Sequence, residues 1–229
     1  MRYSVLLIFL WPFFSAAAQG IPEGSSEIQI RASEPGQNPA EPSGTAASGS
    51  QVSNSAVSFL LDAGVQYADE GEYAEAERAY LRALDGSPGH PEIRFRLGTL
   101  YIQTGRFRDA VALLSALADE YPDSSIVQNN LAWLYATGGE MKNGRLALRH
   151  AREAILITPY VPSAWNTLAE AYYISGQYAQ ALRSSEHALD LLRMQEHSEE
   201  NIKEFEGQRV KILRAAEAYK TFSGLDRDE

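Results

Sequence analysis

The sequence predicts an all-α protein built from repeated helix pairs, and two observations support this fold class. The first is a repeat of 34 residues, which separates Gly64 from Gly98 and Tyr67 from Tyr101. The second is that apolar and small residues recur at helical spacing inside each copy. Several residue types that return at one period indicate a repeat architecture, in which each unit buries its apolar edge only against its neighbours.

Residues 1–18 read as a secretory signal. Arg2 supplies the positive start, an apolar run extends from Val5 to Phe14, and the small residues Ala16 and Ala18 precede a cleavage site. The alternative is an uncleaved membrane anchor, but this run is shorter than the roughly 20 apolar residues that span a bilayer. We therefore expect export, with the mature chain beginning near residue 19.

Cysteine content and charge narrow the classes of site and partner. The chain has no cysteine, which excludes disulfides, thiolate metal sites and a thioether-linked lipid anchor. Its formal net charge of -10 repels polyanions, so nucleic acid and anionic membrane surfaces are poor candidate partners.

Residues 19–56 are rich in Gly, Pro, Ser, Ala and Glu and contain almost no large apolar side chains. Such a segment buries too little apolar surface to offset the entropy lost on ordering. We expect a disordered, low-complexity linker.

The periodic region divides into four copies, at about residues 57–90, 91–124, 125–161 and 162–193. Each copy is expected to form two helices around a short turn. The third copy departs from this register, because Tyr135 to Ala147 is 12 residues where Tyr101 to Ala110 is 9. Three residues are therefore inserted in its turn.

Small residues occupy equivalent positions in all copies and are expected to let paired helices approach closely, since bulkier side chains would overpack the crossing. They are Gly64, Gly98, Ala132 and Ala169 on the first helices, and Ala76, Ala110, Ala147 and Ala181 on the second.

The copies resemble tetratricopeptide repeats, a family of stacked antiparallel helix pairs. The fourth copy carries the pattern in Trp165, Leu168, Ala169, Tyr172, Gly176, Tyr178, Ala181 and Ala188. The resemblance covers residues 57–193; it departs at the insertion in the third copy and at Arg193, where proline would close the fourth. It implies a right-handed α-solenoid of about four helix pairs.

A further helix is expected after the last copy, over residues 198–221, followed by a flexible tail at 222–229. Apolar residues recur there at helical spacing with charges between them, namely Ile202, Phe205, Ile212, Leu213, Ala216 and Tyr219. This pattern is typical of the solvating helix that covers the last unit of such an array.

No pattern in the chain indicates catalysis, a cofactor or a metal. The four histidines lie in different copies or turns, and none is paired at the spacing that places two ligands on one helical face. We expect them to be surface residues: His90, His150, His187 and His197.

The resemblance implies that partner segments lie on a concave face formed by the first helices. The inward-facing candidates are Leu61, Val65, Phe95, Thr99, Ile102, Asn129, Trp133, Ala136, Asn166, Glu170 and Tyr173. The aromatics are candidates for large buried contacts and the asparagines for hydrogen bonds to a ligand backbone. The alternative is that some of them pack between neighbouring repeats.

These observations predict an exported, non-enzymatic scaffold or adaptor that binds a protein segment in its groove and assists assembly of a cell-envelope complex. Location in a periplasm is expected, with secretion as the alternative. The candidate groove has no cation and contains Glu170, which predicts a neutral or basic internal segment rather than a free carboxylate. The alternatives are a glycan- or peptidoglycan-binding module and an accessory subunit of an envelope enzyme.

Overall fold

The computed structural model describes residues 54–195 and 198–225, and these residues form α-helices joined by turns, with no strand among them. The signal segment, residues 19–53 of the expected linker, His197 and residues 226–229 lie outside the described residues. The helices are α1 (Asn54–Asp69), α2 (Tyr73–Gly86), α3 (Pro91–Gln103), α4 (Phe107–Glu120), α5 (Ser125–Thr137), α6 (Gly144–Ile157), α7 (Pro162–Ile174), α8 (Tyr178–Met194) and α9 (Glu199–Leu225), with a 3₁₀ turn at Gly139–Met141.

The first eight helices form four pairs, and each pair packs on the next. The turn inside a pair closes with one recurring hydrogen bond, in which a main-chain N–H donates to a tyrosine carbonyl. The donor lies five residues after the tyrosine in three pairs, as in Arg106 to Tyr101, and eight residues after it from Asn143 to Tyr135. The difference is the predicted insertion of three residues, and the 3₁₀ turn occupies it.

Glycines with positive φ shape these turns. Gly71, Gly105 and Gly176 have φ of 81°, 74° and 71°, a left-handed conformation in which a side chain is strained. Gly139 keeps the 34-residue interval from Gly105 and also has positive φ, 55°. The third copy therefore turns at the expected residue and starts its second helix late.

The small residues lie where paired helices approach most closely. The four alanines of the second helices are completely buried. A Cβ added to Gly64 would lie 2.4 Å from the Tyr80 ring, and one added to Gly98 would lie 3.1 Å from Leu114. The prediction that these positions exclude larger side chains is confirmed.

The core is continuous through the first two pairs and the start of the third, and smaller apolar clusters fill the later interfaces. Helix α9 closes the last pair. Its Phe205 packs with Leu189 and Leu192, and its Ile212 packs with Ala169.

Two boundaries differ from the sequence-based expectation. Helix α1 begins at Asn54, before the expected start at 57, and α9 runs to Leu225. Residues 222–225 are therefore helical and do not belong to a flexible tail. Within the described ranges, no helix has the length and apolar character needed to cross a membrane.

Candidate functional site

The predicted groove residues all lie on the first helices of the four pairs. Their distribution is Leu61 and Val65 on α1; Phe95, Thr99 and Ile102 on α3; Asn129, Trp133 and Ala136 on α5; and Asn166, Glu170 and Tyr173 on α7. We call the partly exposed part of this face, formed by Leu61, Val65, Asn129, Trp133 and Tyr173, the first-helix surface.

In the second pair, the predicted residues belong largely to the core. Ile102 is only 1% exposed, and Phe95 and Thr99 are also buried. The Thr99 hydroxyl is used locally, donating to the carbonyl of Arg96 at 2.8 Å. Ile102 is therefore a core residue and not the groove residue that its spacing suggested, because neighbouring pairs close over this part of α3.

The first and third pairs keep apolar side chains partly open to solvent. Leu61, Val65 and Trp133 each pack against the main core and remain partly exposed. Ala136, in contrast, is completely buried. Asn129 is half-buried, and its Oδ1 is enclosed without a hydrogen-bond partner. A partly exposed apolar side chain that packs on the core is suited to contact an anchor residue of a partner.

In the fourth pair, helix α9 covers the predicted groove. Gln208 Nε2 donates to the Asn166 carbonyl at 3.2 Å and to Glu170 Oε2 at 3.1 Å. Lys211 Nζ donates to both oxygens of Glu170, at 2.8 and 2.7 Å. Asn166 is 1% exposed, so its side chain offers no surface to a ligand and the expected amide contact is absent at this position.

The electrostatics of the fourth pair also differ from the expectation. The sequence suggested that Glu170 stands in the groove without a counter-charge, but the ammonium of Lys211 neutralises it and lies 4.4 Å from the centre of the Tyr173 ring. The cation comes from α9, 41 residues away in the chain. The sequence contained a signal for this contact between α9 and Glu170. A helix that buries Phe205 and Ile212 places residues 208 and 211 near the same face.

His150 is buried, which corrects the expectation of a surface residue. Its Nδ1 lies 2.7 Å from Gln128 Oε1 and its Nε2 lies 2.9 Å from Arg149 Nη2. Since a guanidinium only donates, Nε2 accepts and Nδ1–H donates to Gln128. Gln128 Nε2 in turn donates to the Pro122 carbonyl at 3.2 Å. Burial, together with the nearby Arg149 charge, lowers the pKa of His150 to about 4, so the ring is neutral and structural.

The other described histidines form no ligand set. His187 is exposed, and the centres of its ring and of the Trp165 ring lie 4.2 Å apart in an edge-on arrangement. His90 is half-buried and precedes α3. Across the part of the chain that the structure describes, no three His, Cys, Asp or Glu side chains are grouped so that they could hold a metal ion.

Comparison with protein-family models identifies the repeats. Residues 67–134 and residues 162–191 each match a model described as tetratricopeptide repeat. The matched segments lie in the first three pairs and in the fourth.

Similar proteins include one curated relative and several solved structures. Cellulose synthase operon protein C of Pseudomonas fluorescens (strain SBW25) is 32% identical over 78 residues, which are 34% of this chain and 6% of that protein. MamA from Desulfovibrio magneticus RS-1 is 16% identical, with a TM-score of 0.55 over 78% of this chain and 98% of that one. A chain of the APC/C hetero-tetramer Cut9–Hcn1 is 15% identical, with a TM-score of 0.63 over 72% of this chain and 31% of that one. At these identities the two structures establish the fold alone, an all-α helical-repeat solenoid.

Proposed function

Because the chain is a tetratricopeptide-repeat protein, we propose that it is a non-catalytic scaffold that holds an internal segment of a partner protein against its first-helix surface. Repeats of this kind are in general scaffolds for protein–protein interaction. Their stacked pairs present an extended surface rather than an enclosed reaction site.

Partly exposed Trp133 is the single observation that carries this proposal. A partly exposed indole that packs against the core is held rigidly, so it contacts a partner at little entropic cost. Leu61 and Val65 on α1 are also partly exposed. Helix α9 covers Asn166 and Glu170, so a ligand is confined to the first three pairs and the edge at Tyr173.

The charges beside this surface favour a neutral or basic internal segment. The first-helix surface itself contains no lysine or arginine. Lys211, which reaches its edge from α9, already donates to both oxygens of Glu170. A terminal carboxylate would find no free cation there to offset its lost hydration.

Export and a role in assembling a cell-envelope complex are part of the same proposal. Their support is the sequence of residues 1–18, which has the pattern of a secretory signal. A periplasmic location fits this pattern, and a secreted protein is the other outcome of the same signal.

A second candidate function is glycan or peptidoglycan binding, or service as an accessory subunit of an envelope enzyme. One observation favours it, namely the local similarity to a protein whose name places it in a cellulose synthase operon. An aromatic surface is also compatible with sugar rings. Retention on insoluble glycan in the absence of any protein partner distinguishes this function from the scaffold.

The test is partner binding by the variant Trp133→Ala, with the partner obtained by co-purification from an envelope extract. We expect binding weaker by about 2 kcal/mol or more, as for an interface hot spot, with an unchanged helical circular-dichroism spectrum. The control is Leu81→Ala, an exposed position on α2, which should bind as the wild type does. Equal binding by Trp133→Ala and wild type, or binding that requires a free C-terminal carboxylate, contradicts the proposal.

A further inference from the structure

Three arginines form a basic stripe on helix α6 of this acidic chain. Arg145, Arg149 and Arg152 are spaced four and three residues apart, which places them on one helical face, and all three are exposed. We call them the arginine ridge. The ridge lies on the second helix of the third pair, so it is separate from the first-helix surface.

The insertion in the third copy positions this ridge. After the 3₁₀ turn, the side chain of Asn143 caps α6 by accepting from the Leu146 N–H at 3.1 Å. Gly144 then packs so closely on the turn between α7 and α8 that an added Cβ would lie 2.5 Å from Ser175 Oγ. The first turn of α6 contains no acidic residue, so the partial positive charge of the helix N-terminus adds to that of the arginines.

The ridge and the adjacent turn line a depression of about 560 Å³ that is open to solvent. Besides the three arginines, Leu148, Ser175 and Gln177 line it, and the carboxylate of Glu153 is the one acidic group at its wall. The depression therefore combines three cations and one carboxylate with two neutral polar side chains and one apolar side chain.

The ridge arginines make no ion pair with a carboxylate within residues 54–195 and 198–222. Arg149 donates to His150, and Arg152 donates to the Tyr172 hydroxyl at 3.3 Å. Elsewhere arginines link helices through carboxylates, as in Arg94 with Glu120 and Arg106 with Glu77. The ridge thus has unused capacity for bidentate bonds to carboxylates.

The repeat architecture does not require arginine at these positions. The equivalent residues, counted from the conserved alanine of each second helix, are Ala74, Arg78 and Leu81 in the first copy, Arg108, Ala112 and Ser115 in the second, and Ala179, Arg183 and Glu186 in the fourth. Each of those copies packs with at most one cation among the three positions. Packing of the repeat therefore does not account for the three arginines of the third copy.

The same face of α6 ends in exposed apolar side chains. Leu156 lies four residues after Arg152, on the line of the ridge, and is 76% exposed. Tyr160, just beyond the helix, is equally exposed. A solvent-facing leucine and tyrosine next to a row of cations specify the chemistry of an occupant, which must carry acidic groups along its length and an apolar group at one end.

We propose that the arginine ridge binds a short acidic segment of a partner protein whose acidic side chains are followed by an apolar residue. The helical rise places successive ridge residues and Leu156 about 6, 4.5 and 6 Å apart along α6. Side chains on one face of an extended peptide recur at about 6.6 Å, and the length of the arginine side chains accommodates the difference.

A short segment fits better than a nucleic acid. The chain carries a net charge of -10, which repels a long polyanion along most of the surface. A short peptide bound at the ridge interacts mainly with charges within about 8 to 10 Å, the screening length at physiological salt. Three of the four charged side chains that line the depression are arginines.

The test measures fluorescence anisotropy of a labelled peptide with three glutamates at alternate positions followed by a leucine. We expect the wild type to bind it at low salt, and Arg145→Gln/Arg149→Gln/Arg152→Gln to bind it at least tenfold more weakly. The matched control is Arg82→Gln/Lys203→Gln/Arg214→Gln, which removes three exposed cations without an ion pair among the described side chains and should bind within twofold of the wild type. The peptide with glutamine in place of glutamate should bind at least tenfold more weakly.

A second measurement does not depend on the folding of the variants. In wild-type protein, the acidic peptide should shift the amide resonances of Ser175 and Gln177 and leave those of Leu61 and Val65 unchanged. Undetectable binding, equal binding by the ridge variant and the wild type, or tighter binding of a single-stranded oligonucleotide of equal charge would overturn the proposal. Because the ridge is separate from the first-helix surface, each of these outcomes leaves the scaffold proposal standing.

Discussion

Gly64 of α1 and Gly207 of α9 show how the environment of a glycine decides the effect of a larger side chain. The position of Gly64 is filled by the ring of buried Tyr80, whereas nothing lies within 4 Å of a Cβ added at Gly207. Both residues are helical and have negative φ. The two positions therefore differ in the space available for a side chain and not in backbone strain.

We predict effects of opposite sign for alanine at these two positions. Gly64→Ala should lower the free energy of unfolding by about 1 to 3 kcal/mol, because the Tyr80 ring must move within a packed core. Gly207→Ala should raise it by up to about 1 kcal/mol, because alanine favours a helix over glycine. Urea denaturation of both variants measures this, and a loss of stability at position 207 would contradict the argument.

His150 predicts a pH dependence of stability. Its pKa is about 4 in the fold and about 6.5 in an unfolded chain. Between these values the unfolded state binds the proton and the folded state does not, so stability is complete above pH 6.5 and falls on acidification toward pH 4. The expected loss through this residue is roughly 2 to 3 kcal/mol.

The variant His150→Gln isolates this contribution, since glutamine donates and accepts without titrating. Its free energy of unfolding should fall less than that of the wild type between pH 7 and pH 4. Burial raises the pKa of Glu204 to about 7, so that carboxyl acts in the opposite direction, favouring the fold as pH falls. Glu204 is common to both proteins and cancels in the difference. Parallel pH curves for the two proteins would show that His150 is not buried as described.

At the scale of elements, α9 determines which part of the first-helix face is open. It buries Ile212 against the fourth pair and bonds Asn166 and Glu170 through Gln208 and Lys211. The sequence predicted a covering helix from the period of its apolar residues. It did not predict which polar residues the helix would neutralise, because those contacts depend on the rotation and depth of α9 on α7.

Removal of α9 should destabilise the array. Deleting residues 198–229 exposes Leu189 and Leu192, and we expect a lower melting temperature and self-association. A milder change is Ile212→Ala, which should cost about 2 to 5 kcal/mol by opening a cavity. The neighbouring Leu213→Ala, at a position 37% exposed, should cost much less. Thermal melting and sedimentation measure these effects, and unchanged melting of the truncated chain would mean that α9 does not protect the last pair.

At the scale of the whole molecule, periodicity predicted the fold well because it reports local packing. The 34-residue interval located the helix pairs, and the break in its register located the three-residue insertion. The site was predicted less completely. The period placed Ile102 and Asn166 on the correct helices, but their burial depends on how tightly neighbouring pairs close, and the pattern of one copy does not contain that information.

Site-specific photo-cross-linking tests whether a partner segment lies on the first helices of the early pairs. A photoreactive amino acid is placed at the position of Leu61, on the first-helix surface, and in a separate protein at that of Leu81, on α2. After irradiation in an envelope extract, we predict that an internal peptide of one partner is attached at position 61 and that no partner is attached at position 81. Attachment at position 81 alone, or at position 61 through a peptide ending in a free carboxylate, would contradict the account.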